Sequence, residues 1–254
     1  MPQRAPPGAA RSGATRTDRS PSGDTAPAGS PGPAPPPQPR GETRKSLTDR
    51  LRRERVIAII RGTDTKAAER TVHILREEGI TLIEVSLTTP DAAGIIARSS
   101  REAGDTLIGA GTVLTGDDAR AVQQAGAAFV VTPALAEGSL TAHALGLPVV
   151  AGALTPTEIV RAVSEGASAV KLFPASVGGP AYLRSLREPL PGVPFVPTGG
   201  VDADAAHAYL EAGALAVGVG APIMGDAPHG GDPDALRERC RAFLTALTRH
   251  REGE

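Results

Sequence analysis

The stretch Ala169-Val-Lys-Leu-Phe-Pro174 is the part of the sequence that best indicates the fold class. Ala169–Phe173 is a short apolar run that follows Gly166 and is closed by Pro174, which is typical of a buried parallel strand. Lys171 lies inside this run, where an ammonium group is costly unless it is paired or loses its proton. Burial favours the neutral amine, which is the form of lysine that attacks a carbonyl carbon. The alternative is a lysine that reaches water from the strand end or pairs with a carboxylate.

The composition of the 254-residue chain fits a parallel α/β core. There is no Trp and there are only two tyrosines, so Val, Ile, Leu and Ala must build the core, as is usual for parallel sheets. A net charge of −1 gives no electrostatic reason to expect nucleic acid or a membrane surface as a partner. Because we find no apolar run of transmembrane length and no signal-peptide region, we expect a cytoplasmic protein.

Residues 1–45 differ in composition from the rest of the chain. Pro, Gly, Ser, Ala, Thr and Arg dominate, and no Val, Ile, Leu or aromatic residue precedes Leu47. Such a segment buries too little apolar surface to offset the entropy of ordering, so we predict a disordered N-terminal tail. Its proline density argues against an amphipathic transit helix, whereas a recruitment segment and an upstream start codon both stay open. We expect residues 46–254 to form the folded domain.

Eight strand–helix units follow the tail, which is what a (β/α)8 TIM barrel requires. The alternative, a doubly wound open sheet, carries a glycine fingerprint after its first strand, and Arg61-Gly-Thr63 does not match it. We therefore predict an α/β fold of the TIM-barrel type. The predicted strands are Val56–Ile60, Leu82–Leu87, Leu107–Thr112, Phe129–Thr132, Pro148–Ala151, Ala169–Phe173, Phe195–Thr198 and Ala216–Val219.

Glu84 is the second residue that predicts chemistry. It is flanked by apolar residues in a strand buried on both faces, so its carboxylate is expected inside the barrel, opposite Lys171. An amine and a carboxylate in a dry cavity suit an imine-forming site with its own proton shuttle. The alternative is a structural ion pair, which is costly to bury. None of the five histidines has a neighbour at metal-ligand spacing, so we predict no metal and no cofactor.

Several residues at the predicted carboxyl ends of strands are candidates for substrate binding, because TIM-barrel active sites lie at that face. Gly199, Gly200 and Gly220 allow close approach of backbone to a phosphate, or simply make tight turns. Thr112 supplies a hydroxyl at the end of the third strand. Arg61 either holds a substrate carboxylate through a bidentate contact or is an ordinary surface arginine.

Five segments, in their order and spacing, resemble the class I aldolases of 2-keto-3-deoxy-6-phosphogluconate (KDPG) and 4-hydroxy-2-oxoglutarate (KHG). The resemblance covers about residues 47–248 and excludes the tail. It implies an aldolase that is a homotrimer and acts on a small 2-keto acid. The segments are Ile83-Glu-Val-Ser-Leu-Thr-Thr-Pro90, Ile108-Gly-Ala-Gly-Thr-Val-Leu114, Val131-Thr-Pro133, Lys171-Leu-Phe-Pro174 and Pro197-Thr-Gly-Gly-Val201.

The resemblance also implies roles for single residues near the reacting carbon. Lys171 would be the Schiff-base lysine and Glu84 the proton-transferring carboxylate. Thr112 and Pro133 would line the pyruvate pocket, and Phe173 would pack beside the imine. The two strand ends that carry Gly199, Gly200 and Gly220 would contact the substrate phosphate.

Two positions depart from the family pattern. Thr88 stands where well-known members have an arginine for the pyruvate carboxylate, and Arg61 is then the nearest candidate replacement. Ala221 stands where a phosphate-binding serine is common, which makes a non-phosphorylated substrate more plausible. We count Thr88 and Ala221 among the predicted substrate contacts. The segment Gly179-Pro-Ala-Tyr182 resembles the 6-phosphogalactonate branch of the family.

The sequence therefore predicts a class I aldolase that cleaves KDPG, KHG or both. The alternatives are a 6-phosphogalactonate-type aldolase, a phosphosugar isomerase or epimerase with Glu84 as base, and a non-catalytic sugar-phosphate sensor. The isomerase hypothesis predicts no covalent adduct on Lys171, and the sensor hypothesis predicts binding without turnover.

Overall fold

Eight parallel strands form one closed sheet. The computed structural model describes residues 44–251, with side chains from 47 to 248. Consecutive strands pair in parallel, β1 also pairs with β8, and a bridge between Thr198 and Gly218 joins β7 to β8. The predicted TIM barrel is confirmed. The strands are β1 (Val56–Ile60), β2 (Leu82–Ser86), β3 (Leu107–Gly111), β4 (Val130–Val131), β5 (Val149–Ala153), β6 (Ala169–Leu172), β7 (Phe195–Pro197) and β8 (Val217–Val219).

Helices alternate with the strands, and polar side chains cap several of them at the N-terminus. Thr155 caps α6 through its side chain and shares a capping box with Glu158, and Asp202 caps α8. The helices are α1 (Arg44–Glu54), α2 (Thr65–Glu77), α3 (Ala92–Arg101), α4 (Gly116–Gln124), α5 (Glu137–Ala144), α6 (Pro156–Ser164), α7 (Gly179–Arg187), α8 (Ala203–Glu211), α9 (Ala221–Met224) and α10 (Pro233–Arg251).

The boundaries of two helices differ from the prediction. Serine is a common N-cap residue, so Ser46 predicts the start of α1, but the helix begins two residues earlier, at Arg44. Proline suits a first helical position, so Pro90 predicts the start of α3. The helix instead begins at Ala92, because two turn hydrogen bonds link Thr89 to Ser86 and Ala92 to Thr89. The predicted tail, residues 1–45, lies outside the described residues except for its last two. The short 3₁₀ turns Ala175–Val177 and Ala227–His229, and α9, were not predicted.

The apolar core has two separate layers, one on each side of the strands. Ile83 and Val85 of β2 pack with the helices, in a cluster that includes Val72 of α2 and Ile95 of α3. Leu82 belongs to the second cluster, which fills the inside of the barrel. Because side chains alternate along a strand, Glu84 and Ser86 share the inward face with Leu82.

Helix α1 closes the amino end of the barrel. Its Leu47 and Leu51 are fully buried and belong to the inner cluster, together with Ile57, Leu82 and Phe129. The Thr48 hydroxyl donates to the carbonyl of Ser168, just before β6, at 3.2 Å. The inside of the barrel is therefore sealed at the amino end, and ligands must enter at the carboxyl end of the strands.

Two general features of the described residues bear on function. No helix within residues 44–251 is both long and apolar enough to cross a membrane. The same part of the chain holds no group of three or more His, Cys, Asp or Glu side chains placed to bind a metal ion.

Candidate active site

Lys171 is held inside the barrel by its position on β6. It pairs with Gly152 of β5 on one side and with Val196 of β7 on the other, so it is not at the strand end. Only 7% of the residue is exposed. Its Nζ lies 5.2 Å from the centre of the Phe173 ring, close enough for a cation–π contact when the amine is charged. A lysine that reaches bulk water from the strand end does not fit this geometry.

Glu84 lies on β2, four strands away from β6 in a ring of eight, and therefore across the barrel from Lys171. Its carboxylate is 1% exposed, and neither oxygen has a hydrogen-bond partner among the described residues. Burial raises the pKa of this carboxyl, and the positive charges of Lys171 and Arg61 offset part of the rise. A buried carboxyl of raised pKa with both oxygens unpaired is suited to taking up and releasing protons.

Gly111 creates the space that Glu84 occupies. A Cβ atom at Gly111 would lie 1.8 Å from the Oε1 atom of Glu84, so the carboxylate rests directly on the β3 backbone. Gly109, two residues earlier on the same inward face, is covered by the ring of Phe129 in the same way. Any larger residue at position 111 would displace the carboxylate.

Three hydroxyl groups lie at the ends of β2 and β3. The Ser86 Oγ atom is 2.9 Å from the Thr88 Oγ1 atom and 2.9 Å from the Thr112 Oγ1 atom. Thr112 has a φ of 61°, in the left-handed region that a β-branched residue rarely adopts. Strained backbone of this kind persists only where the surrounding structure holds it in place, and it is common at binding sites.

Arg61 follows β1 and is exposed at the mouth of the barrel. The next residue, Gly62, donates its N–H to the Thr89 hydroxyl at 3.2 Å, which ties the loop after β1 to the loop after β2. Arg61 and Thr88 therefore stand on adjoining loops. The positive charge of Arg61 offsets a part of the rise in the pKa of Glu84, smaller than the part that Lys171 offsets.

Pro133 packs against Gly152, the residue of β5 that pairs with Lys171 of β6. A Cβ at Gly152 would lie 2.2 Å from the carbonyl carbon of Pro133, so the Pro133 backbone packs on the strand that neighbours the lysine. The Thr132 hydroxyl fixes this arrangement by accepting the Gly152 N–H at 3.2 Å. The structure thus brings Pro133 and Phe173 to the same side of the barrel as Lys171.

The predicted phosphate contacts lie at the ends of the adjacent strands β7 and β8. Gly199 and Gly200 have φ values of 94° and 74°, so both need glycine for the turn itself. A Cβ at Gly199 would lie 3.3 Å from the Phe173 ring, which places this turn beside the lysine. Gly220 has only one neighbouring atom within 4 Å of an added Cβ, and Ala221 is exposed at the start of α9. The β8 end therefore leaves room for a ligand beside Gly220.

Two features of the site were not recognised from the sequence. The first is the role of Gly111, whose missing side chain leaves the space for the Glu84 carboxylate. The alternation of Gly109 and Gly111 in the sequence was a signal for this role. The buried Thr89 hydroxyl, which joins the loops after β1 and β2, had no signal in the sequence. The hydrogen bond between the Ser86 and Thr112 hydroxyls depends on the backbone conformation of Thr112, which a sequence pattern does not reveal.

Comparison with known proteins identifies the family. The KDPG and KHG aldolase family profile matches residues 47–235. The chain is 41% identical over 159 residues to the 2-dehydro-3-deoxy-phosphogluconate aldolase of Treponema pallidum, covering 61% of this chain and 75% of the relative. It is 35% identical over 194 residues to a protein of Rhizobium meliloti named as a probable 2-dehydro-3-deoxy-6-phosphogalactonate aldolase, covering 75% and 90%.

A solved structure agrees with these relatives. The KDPG aldolase of Legionella pneumophila, whose structure was determined with pyruvate captured as a covalent carbinolamine intermediate, superposes with a TM-score of 0.72 at 28% identity. The superposition covers 79% of this chain and 98% of the Legionella chain. The family match, the barrel and the enclosed lysine lead to one conclusion: this chain belongs to the KDPG and KHG aldolase family, whose members are carbon–carbon lyases.

Proposed function

We propose that the protein is a Schiff-base aldolase in which Lys171 is the nucleophile and Glu84 the proton-transfer group. The observation that carries the proposal is a buried lysine facing a buried carboxylate without hydrogen-bond partners, on opposite strands of the barrel. A structural ion pair would need hydrogen-bond partners for the carboxylate oxygens to offset the cost of burial.

The reaction begins when the neutral Lys171 amine adds to the C2 carbonyl of a 2-keto-3-deoxy acid and water leaves, forming an iminium ion. Glu84 takes the proton of the C4 hydroxyl while the C3–C4 bond breaks. The electron pair of that bond moves toward the iminium nitrogen and gives an enamine, and an aldehyde departs. Protonation of C3 and addition of water then release pyruvate and return the free amine.

The proposed substrate is KDPG, which would give pyruvate and glyceraldehyde 3-phosphate, or KHG, which would give pyruvate and glyoxylate. The similarity to the Treponema relative supports KDPG. The similarity to the Rhizobium relative, together with the segment Gly179-Pro-Ala-Tyr182, favours the 6-phosphogalactonate compound as the second candidate. Pyruvate release from the three acids, measured with lactate dehydrogenase at equal enzyme concentration, ranks them by kcat/KM.

The binding roles follow from where each residue lies. Arg61 and Thr112 would hold the C1 carboxylate at the loops after β1 and β3, and Thr88 stands between them. Pro133 and Phe173 would enclose the imine. The remaining candidates, at the ends of β7 and β8, would receive the phosphate of the substrate: Gly199, Gly200, Gly220 and Ala221.

The covalent step is tested by incubation with pyruvate and borohydride, followed by intact mass and peptide mapping. The chain contains three lysines, Lys45, Lys66 and Lys171, so the modified peptide identifies the nucleophile directly. We expect one reduced pyruvyl group, on Lys171, in wild-type protein and in Lys66→Met. A folded protein without an adduct would contradict the aldolase mechanism and favour the isomerase alternative, and an adduct without turnover of any of the three acids would favour the sensor.

We further propose that the protein assembles as a homotrimer. Among residues 47–248, five large apolar side chains are exposed, all between the end of β3 and the start of α7. A second copy that covered these side chains would remove their apolar surface from water, which favours association. Sedimentation equilibrium should give three times the 25.8 kDa chain mass. The apolar residues are Leu114, Leu140, Val160, Val163 and Val177.

Two expectations from the sequence stay predictions. One is the division into a disordered tail over residues 1–45 and an aldolase domain over residues 46–254. The other is the cytoplasmic location. Limited proteolysis tests the first: rapid cleavage before Ser46 should leave a resistant fragment with full aldolase activity. Microscopy of a fluorescent fusion tests the second.

A further inference from the structure

Ser86 occupies a position that neither catalysis nor packing explains by itself. It is the last residue of β2, it is completely buried, and it shares the inward face with Glu84. Its hydroxyl lies 2.9 Å from the hydroxyls of both Thr88 and Thr112. The buried serine therefore connects an exposed residue at the rim, Thr88, with a half-buried residue deeper in the site, Thr112.

Counting protons shows what this row of hydroxyls can do. Each hydroxyl carries one donor proton and can accept two hydrogen bonds. Two hydrogen bonds among three hydroxyls use two protons, so one proton stays free, and its place depends on which hydroxyls donate. With Thr88 donating to Ser86 and Ser86 donating to Thr112, the free proton is on Thr112. Each bond in such a row polarises the next, so the last donor is strengthened.

The backbone at Thr112 shows that this end of the row is specially placed. A β-branched residue at φ 61° is unfavourable, and the hydrogen bond between the Ser86 and Thr112 hydroxyls helps to keep it there. The adjoining strands are fixed by the Leu87 N–H, which donates to the Gly111 carbonyl at 2.8 Å. Two constraints therefore set the position of the Thr112 hydroxyl: the φ angle of the Thr112 backbone and the hydrogen bond between its side chain and Ser86.

We infer that Ser86 is a positioning residue that orients the Thr112 hydroxyl as a donor to the carboxylate of the 2-keto acid. Thr88 completes the row and keeps the Ser86 proton directed at Thr112. This inference rests on the proposed function, because it assigns a role at the same site. It gives Thr88 an indirect role in carboxylate recognition, while Arg61 supplies the positive charge at the mouth.

The test compares two ketones that form the same imine but differ in the carboxylate. Pyruvate carries it, and acetone does not. Borohydride trapping at increasing ketone concentration gives the half-saturating concentration for each, in wild type, Ser86→Ala, Thr88→Val and Thr88→Ser. Loss of one hydrogen bond to a charged group corresponds to a change of about 10-fold or more in affinity.

We expect Ser86→Ala to raise the half-saturating concentration of pyruvate by about 10-fold and to leave that of acetone unchanged. Thr88→Val should raise the pyruvate value by a smaller factor, and Thr88→Ser, which keeps the hydroxyl, should behave like wild type. Thr88 is exposed, so this pair carries the test even if Ser86→Ala does not fold.

Three outcomes overturn the inference. Equal shifts for pyruvate and acetone would mean that Ser86 only supports the structure. Unchanged pyruvate values in both Ser86→Ala and Thr88→Val would remove the hydroxyl row from carboxylate binding. Absence of any pyruvate adduct in the wild type would overturn the proposed function itself. This failure is distinguishable from a failure of the inference, because the wild type alone shows it.

Discussion

The two ends of the barrel interior are built on the same strands but have opposite chemistry. On β2, Leu82 and Glu84 are two residues apart on the same face, and on β6 the same is true of Ala169 and Lys171. The amino-end layer is apolar and joins the inner cluster that α1 seals with Leu51. The carboxyl-end layer holds a buried acid and a buried base.

This contrast shows how a barrel can hold costly groups at one end and remain stable. The sealed amino end excludes water and contributes apolar burial, whereas the carboxyl end contains a carboxylate that has lost hydration without gaining hydrogen bonds. Low local polarity also strengthens each electrostatic interaction between the acid, the amine and a bound ligand. This division predicts that substitutions in the carboxyl-end layer change activity and that substitutions in the amino-end layer change stability.

The largest effect on activity is expected for Lys171→Met. The methionine side chain has nearly the same length and no charge, so packing in β6 should be kept while imine formation is lost. Turnover of the best substrate should fall by about 10,000-fold or more, the scale on which enzymes lose activity with their nucleophile. Steady-state pyruvate release and borohydride trapping measure the two losses separately. Normal turnover in this variant would exclude Lys171 as the nucleophile.

Glu84→Gln should lower kcat by about 100- to 10,000-fold, the range typical of a lost general acid–base group. The variant should still form the reduced pyruvyl adduct, because the amine of Lys171 remains. Single-turnover kinetics after rapid mixing separate slow proton transfer from slow binding. Unchanged kcat would exclude the proton-transfer role.

The same variant should have a characteristic dependence of stability on pH. Burial raises the pKa of Glu84 above its ordinary value of 4.5, so the folded protein binds this proton more tightly than the unfolded chain does. The stabilisation from the protonated group is complete below pH 4.5 and is lost as pH rises through the folded-state pKa. Glu84→Gln should therefore have a higher Tm than wild type at neutral pH, and the difference should shrink toward pH 4.5. A difference that does not vary with pH would contradict this account.

A pair of glycine substitutions on β3 tests the division between layers most directly. A Cβ at position 111 would lie 1.8 Å from the Glu84 carboxylate, and one at position 109 would lie 2.5 Å from the Phe129 ring. We expect Gly111→Ala to lower kcat by roughly 100-fold, since a misplacement of about 1 Å has this effect, with a small change in Tm. Gly109→Ala should destabilise the fold by about 1–3 kcal/mol through overpacking, with little change in kcat. Equal effects of the two variants on kcat would refute the division.

Much of the barrel could be predicted from the sequence because its strands carry their own signal. Val56–Ile60 matched the prediction at both ends, since a run of branched apolar residues between polar ones has few other solutions. Glu84 and Lys171 were recognisable because charged residues inside such runs are rare. The ends of the elements were harder to predict: α3 begins after Pro90 because the turn after β2 has its own hydrogen bonds, from Thr89 to Ser86 and from Ala92 to Thr89.

What the sequence did not reveal was how neighbouring strands share space. The contact of Glu84 with Gly111 depends on the register between β2 and β3, and a shift of β2 by one residue would turn Glu84 away from the interior. The hydrogen bond between Ser86 and Thr112 depends in addition on the φ angle of Thr112. Neither the register nor the φ angle is a property of a local segment, so pattern analysis alone does not give them.

The smallest effect on activity is expected for Leu51→Ala in the amino-end seal. Leu51 is completely buried against the inner cluster, and truncation to alanine at such sites costs about 2–5 kcal/mol. For a domain of this size each kcal/mol corresponds to roughly 2–4 °C in Tm, so calorimetry should show a clear decrease. Leu51→Met conserves volume and serves as the control, with a smaller decrease. At a temperature where the protein is folded, kcat should stay within about twofold of wild type, because the seal contacts no reacting group and only supports the layer above it. A fall in kcat without a fall in Tm would show that the two ends of the barrel interior are coupled, and the separation of stability from catalysis along β2 and β6 would have to be abandoned.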